Sequence, residues 1–179
     1  MLSLLAPRTS RGFVLQRQTS TVRMLYFFVV ALTMFVLPLG SIVVEHLSSP
    51  AVSLPWLFGK WFVFWGVGLR LTLAGARQAI QPRFTAKEIF HMTSDEALPL
   101  VRELGIANLA TGMVGLLSVF APSFILPTAI SAGIFYGVAG FRHALEKQRS
   151  RNETIAMVSD LFIFIVLAAF VGWSFLSRP

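Results

Sequence analysis

Cysteine is absent from this chain. That excludes structural disulfides, thiolate nucleophiles, cysteine-ligated zinc or iron–sulfur centres and CxxC redox pairs. Charge is also scarce. Asp, Glu, Lys and Arg make up 13% of the 179 residues, against about 25% in an ordinary soluble domain. No GxSxG, Walker A, GxGxxG or HExxH string occurs, so no motif announces a hydrolase, a nucleotide site or a zinc protease. What the chain has in quantity is apolar surface: 55% of residues, 17 of them Phe, with a mean hydropathy of +0.73. A water-soluble globule of this length could not hide so much, so the solvent for most of the chain is lipid. A spanning helix takes about 20 apolar residues, which leaves room for a handful of spans and no separate soluble domain.

Five apolar runs predict an all-α, five-span transmembrane bundle forming one domain over residues 24–179. The spans fall at about 25–44, 56–76, 100–120, 124–143 and 153–176. Pro38 is expected to kink the first, and Glu45 and His46 to end it. Pro82 breaks the helix after the second span. Thr85 with Glu88 and Thr93 with Glu96 both fit capping boxes, and Phe84, Ile89, Phe90 and Met92 suit a short helix on the membrane surface. Ala121, Pro122 and Ser123 suit only a tight turn. Residues 1–23 contain Arg8, Arg11, Arg17 and Arg23 and no acid. They read as a disordered tail, a mis-assigned start with Met24 the initiator, or a transit peptide.

The net charge of +7 resembles a nucleic-acid signal, but its distribution follows the membrane instead. Lys and Arg cluster in the N-terminal segment, in the second-to-third connection with its flanks (Arg77, Arg83, Lys87, Arg102) and in the fourth-to-fifth connection (Arg142, Lys147, Arg149, Arg151). Only Lys60 and Arg178 fall on the other side. By the positive-inside rule the N-terminus is in and the C-terminus out. Trp56, Trp61 and Trp173 then meet the outer interface, where indoles are favoured. No nucleic-acid partner is expected. The expected partners are the lipid bilayer and either a second copy of the chain or a larger membrane assembly.

Ionisable groups inside spans are costly and usually face the bundle interior. Arg70 and Asp160, with Asn108 as a neutral partner, each lie about seven residues from the cytoplasmic end of their helices, or about 10 Å deep by helix rise. They predict one buried polar cluster. Arg70 and Arg77 are seven apart, as are Glu153 and Asp160. Antiparallel second and fifth spans would therefore pair Arg70 with Asp160 and, at the interface, Arg77 with Glu153. Small residues predict a second contact. Ala107, Thr111 and Gly115 on the third span align with Gly137, Gly133 and Ala129 on the fourth, giving a close antiparallel hairpin. His46, His91 and His143 do not form a convincing haem or metal set. No metal or cofactor is expected.

The strings WFVFWGVGLRLTLAGARQ (61–78), RELGIANLATGMVGLLSVF (102–120) and IAMVSDLF (155–162) keep polar residues inside apolar spans. Through them the chain, from about Met24 to Leu176, resembles a family of small bacterial multi-pass membrane proteins of unknown function. Its third span is also similar, through glycine and leucine, to DoxX-like four-helix membrane proteins. The resemblance implies a bacterial inner-membrane location and supplies no catalytic residue. The leading expectation is therefore a non-enzymatic integral membrane protein whose polar cluster is structural. The alternatives are a small-solute or proton-coupled transporter using that cluster, and a membrane-embedded enzyme or quinone or lipid binder. A closed ion pair favours the first, a water-filled cavity the second, and a groove open sideways to lipid the third.

Overall fold

A computed structural model of the chain describes residues 24–88, 92–147 and 149–177. The N-terminal extension 1–23 and His91 lie outside the described residues. Six helices follow one another: α1 (Met24–Ser48), α2 (Leu54–Ile80), α3 (Pro82–Glu88), α4 (Asp95–Leu117), α5 (Pro122–Leu145) and α6 (Arg151–Leu176). There is no strand among the described residues. All but the short α3 are long and apolar enough to cross a membrane. They match the five runs anticipated from sequence, each with ends moved by a few residues.

Local chemistry sets those ends. Proline occupies the first turn of α2 (Pro55), α3 (Pro82) and α5 (Pro122) and the first α-helical turn of α4 (Pro99), after its 3-10 start at Asp95–Ala97, where its missing N–H costs no hydrogen bond. The fifth long helix begins at Arg151, because the Ser150 hydroxyl accepts the Glu153 N–H at 3.1 Å. That places Glu153 at the third position of a Ser-x-x-Glu cap. The two capping boxes expected in the 82–97 region do not form. Thr85 is buried inside α3, and the cap before α4 is Ser94, which accepts the Glu96 N–H at 3.2 Å.

The helices pack as two tight antiparallel pairs, α2 with α4 and α5 with α6, and α1 lies against α2. On α4 the buried residues Val101, Gly105, Asn108, Gly112 and Gly115 recur every three or four positions, a stripe that stays on one face. This stripe meets α2 backbone to backbone. A Cβ on Gly112 would come 2.5 Å from the Thr72 nitrogen, and one on Gly115 would come 2.7 Å from the Gly68 Cα. In α5 and α6, Gly137 lies against the Phe164 ring and Gly140 against Leu161.

The close hairpin expected between the third and fourth spans therefore does not occur. Ala107 is exposed and Thr111 half-buried. Thr111 gives its hydroxyl to the Ala107 carbonyl of its own helix, while Gly115 faces Gly68 instead of Ala129. Gly133 and Gly137 face Leu167 and Phe164 of α6. Small residues line α4 on more than one face, and the face carrying Gly105, Gly112 and Gly115 gives the closer backbone approach, so it took the partner. The turn at 121–124 remains, closed by a single 3-10 turn at Pro122–Phe124, but it joins two helices that each belong to a different pair.

Two segments are wound as π-helix, Leu32–Val36 in α1 and Phe62–Leu69 in α2. The second ends where the Arg70 N–H reaches the Trp65 carbonyl, five residues back. Such widened turns are rare and concentrate at functional sites. Polar contacts tie α1 to α2. Lys60 Nζ donates to both Glu45 carboxylate oxygens at 2.7 Å, Trp61 Nε1 donates to Glu45 at 2.7 Å, and Trp65 Nε1 donates to Ser41 Oγ at 2.9 Å.

Candidate functional site

The ends of α2 and α5 and the starts of α1, α4 and α6 meet at one end of the bundle, where Arg77, Arg83, Lys87, Arg102, Arg142, Lys147, Arg149 and Arg151 collect. At this basic end the two helix pairs stand apart and leave a cavity of about 750 Å³. Its walls come from all five long helices, with Phe84 and Thr85 of α3 and Met92 at the margin. That volume lies within the range of about 300–1,000 Å³ typical of small-molecule sites.

The deep polar group centres on Arg70. Its Nη2 donates to Asp160 Oδ1 at 2.8 Å and to Ser159 Oγ at 2.9 Å, and Ser159 passes its own proton to the Ala156 carbonyl. The Arg70 and Asp160 side chains are 11% and 9% exposed, so the pair is largely, but not wholly, withdrawn from solvent. The guanidinium also lies 5.1 Å from the Tyr136 ring centroid. The fully buried Tyr136 gives its hydroxyl proton to the Gly66 carbonyl at 3.0 Å, inside the π segment. Arg70 Nη1 is buried with no hydrogen-bond partner. Arg70 and Asp160 are thus brought together as their depth and spacing suggested, and both line the cavity.

The other expected partners differ. Asn108 Nδ2 donates to Gln78 Oε1 at 2.8 Å instead of reaching Asp160. The α2–α4 contact is too close to let the amide turn toward α6, and Gln78 stands directly across that seam. Arg77 and Glu153 do not form a rung. The Arg77 guanidinium lies over the Phe84 ring at 3.6 Å, because α3 folds back under the end of α2. Glu153 is 3% exposed and meets His143 Nδ1 at 3.1 Å, across the tight α5–α6 pair. Asn108, Arg77 and Glu153 still line the same cavity.

Sequence reading missed Tyr136, Ser159, Gln78 and Tyr26. Ser159 adjoins Asp160, and Gln78 lies eight residues from Arg70 on one helical face, so spacing alone held a signal for both. Tyr26 had none, since a tyrosine near a span end usually marks the interface, whereas Tyr136 lies seven residues from the predicted inner end of its span, the depth that groups Arg70 with Asp160, and so did hold a signal.

Most of the remaining lining is apolar. Leu104 on α4 faces Ile134, Phe135, Val138 and Ala139 on α5, and Val29, Val30, Leu71, Leu73 and Ala74 continue the wall. Ile134 and Val138 are 65% and 66% exposed although they border the cavity. Leu25 of α1 and Leu73 of α2, also on the lining, are 59% and 45% exposed, so the apolar side of the cavity is open to its surroundings. Chemically, this is a pocket with apolar flanks and a polar interior of guanidinium, carboxylate, amide and phenol groups.

Bundle and pocket together define a helical protein with several apolar helices, consistent with a membrane protein. The chain belongs to DUF6790, a family of unknown function, whose profile matches residues 24–178. Comparisons with curated proteins and with solved structures gave no match.

Proposed function

We propose that this protein is a multi-pass integral membrane protein that binds an amphipathic small molecule between α4 and α5, with the polar end of the ligand at the Arg70–Asp160 pair. The observation that carries this reading is the pair's place on the wall of a side-open, mainly apolar cavity. Withdrawing two charges from water is costly, and Arg70 Nη1 is left without an acceptor in this pair, so the polar head of a ligand would supply what the protein alone does not. Non-enzymatic binding fits best, because among the described residues no nucleophile–base pair stands beside the cavity walls. The positive-inside rule puts the basic end, and with it the mouth of the cavity, in the cytoplasm and the C-terminus outside. In a bacterial cell this is the inner membrane.

A test of access uses the absence of native cysteine. A nitroxide on Ala139→Cys, in bilayers, should be relaxed by oxygen and should lose mobility when an amphiphile is added. A label that is immobile and shielded from oxygen from the outset would mean a closed gap, and the structural reading of the ion pair would then stand.

A further inference from the structure

The cavity's charges narrow its ligand, an inference that rests on the binding role just proposed. Asp160 is matched by Arg70, Glu153 meets His143, which is a counter-charge only when protonated, and Arg142 and Glu146 border the cavity with opposite charges. Arg77 is different. It lines the cavity, its guanidinium stays charged at any physiological pH, and among the described residues its partner is the Phe84 ring instead of a carboxylate. Arg70 keeps Nη1 without an acceptor. Tyr26, from the first turn of α1, lines the same cavity as both arginines. The two arginines are two helical turns apart, about 10 Å along α2 by helix rise. An Arg70 nitrogen without an acceptor, on the same helix as a guanidinium whose partner is an aromatic ring, complements an anion. The walls beyond them are hydrocarbon and open sideways, which suits an acyl chain.

We infer that the cavity takes an acidic amphiphile, its carboxylate or phosphate head at Arg70, Tyr26 and Arg77 and its chain between α4 and α5. The shared chemistry is a singly anionic head on an apolar tail. Such a molecule comes either from the bilayer, as an acidic phospholipid, or from a pool of free single-chain acids.

The full chain, held in neutral detergent, is titrated with phosphatidylglycerol, oleate or phosphatidylcholine, and bound molecules are counted by native mass spectrometry. The expected result is about tenfold tighter binding of at least one acidic probe than of phosphatidylcholine, as one charge-assisted contact allows. Whichever acid binds tighter identifies the source. Arg77→Gln should remove most of that preference, and Arg83→Gln, whose guanidinium is exposed and paired with Asp95, should not. Equal binding of acidic and neutral probes would overturn the acidic assignment and leave the cavity reading intact. Equal loss in both variants, or no loss in Arg77→Gln, would also overturn it, the first by reducing it to surface charge. Binding of none of the three would overturn both readings.

Discussion

Removing Asp160 is the most discriminating perturbation of the deep cluster. In Asp160→Ala the Arg70 guanidinium keeps Ser159 as its acceptor and the Tyr136 face beside it, but it loses its counter-charge in a site where the side chain is only 11% exposed. Breaking one half of a buried pair costs about 3–5 kcal/mol in general. At about 1.4 kcal/mol per decade this is two to three and a half orders of magnitude in the folded-to-unfolded ratio. Water reaching the pair from the cavity screens the stranded charge, so the low end of that range is expected. The double variant Arg70→Met with Asp160→Leu removes both charges and keeps volume, and should recover most of the loss, since apolar replacement of a whole buried pair is often neutral or better. The assay is reversible unfolding in mixed micelles, read as a double-mutant cycle with Asp160→Leu and Arg70→Met as the single variants. A coupling near zero, with each single change costing under about 1 kcal/mol as exposed pairs do, would refute the reasoning.

Other outcomes follow from the packing. Gly112→Leu and Gly75→Leu should each lose more than the 1–3 kcal/mol of ordinary overpacking, because backbone atoms of the partner helix stand 2.5 Å from the new Cβ. Gly40→Ala, with nothing within 4 Å, should be silent in the same unfolding assay. Gly133→Ala should be tolerated too, since its new Cβ would sit 3.7 Å from the Leu167 Cβ, an ordinary contact. Tyr136→Phe should cost about 0.5–1.5 kcal/mol by removing the bond to the Gly66 carbonyl. Glu153→Ala should cost about 1–3 kcal/mol, because it removes a buried acceptor facing His143, where an interfacial ion pair would have given almost nothing. A reporter fused after Pro179 should signal from outside the cell, and a cytoplasmic signal would reverse the proposed orientation.

Hydropathy and charge exposed much of this fold in advance, because length and apolarity alone demand five spans. The Arg70–Asp160 contact was legible for the same reason: two opposite charges at one depth in lipid have few other partners. Helix pairing was not legible. Ala107-Thr111-Gly115 and Gly105-Gly112-Gly115 are both small-residue faces on one helix, and the closer approach of the second becomes visible only with the glycines of α2, Gly68 and Gly75, set against it. Choosing the wrong face also hid the cavity, which exists because α4 and α5 are held by different partners. The π segment of α2 left no periodic trace, although it carries the carbonyl that anchors Tyr136. Asn108 was misassigned because its depth was known and its facing was not.

The central claim is that the space between the helix pairs holds a ligand, and it can be weighed directly. Protein extracted gently from its membrane should carry about one amphiphile per chain by native mass spectrometry. Ala139→Trp should fill the cavity and remove that mass while the unfolding transition stays where it was. A wild-type chain with no bound amphiphile, or an Ala139→Trp chain that retains it in full, would contradict the account.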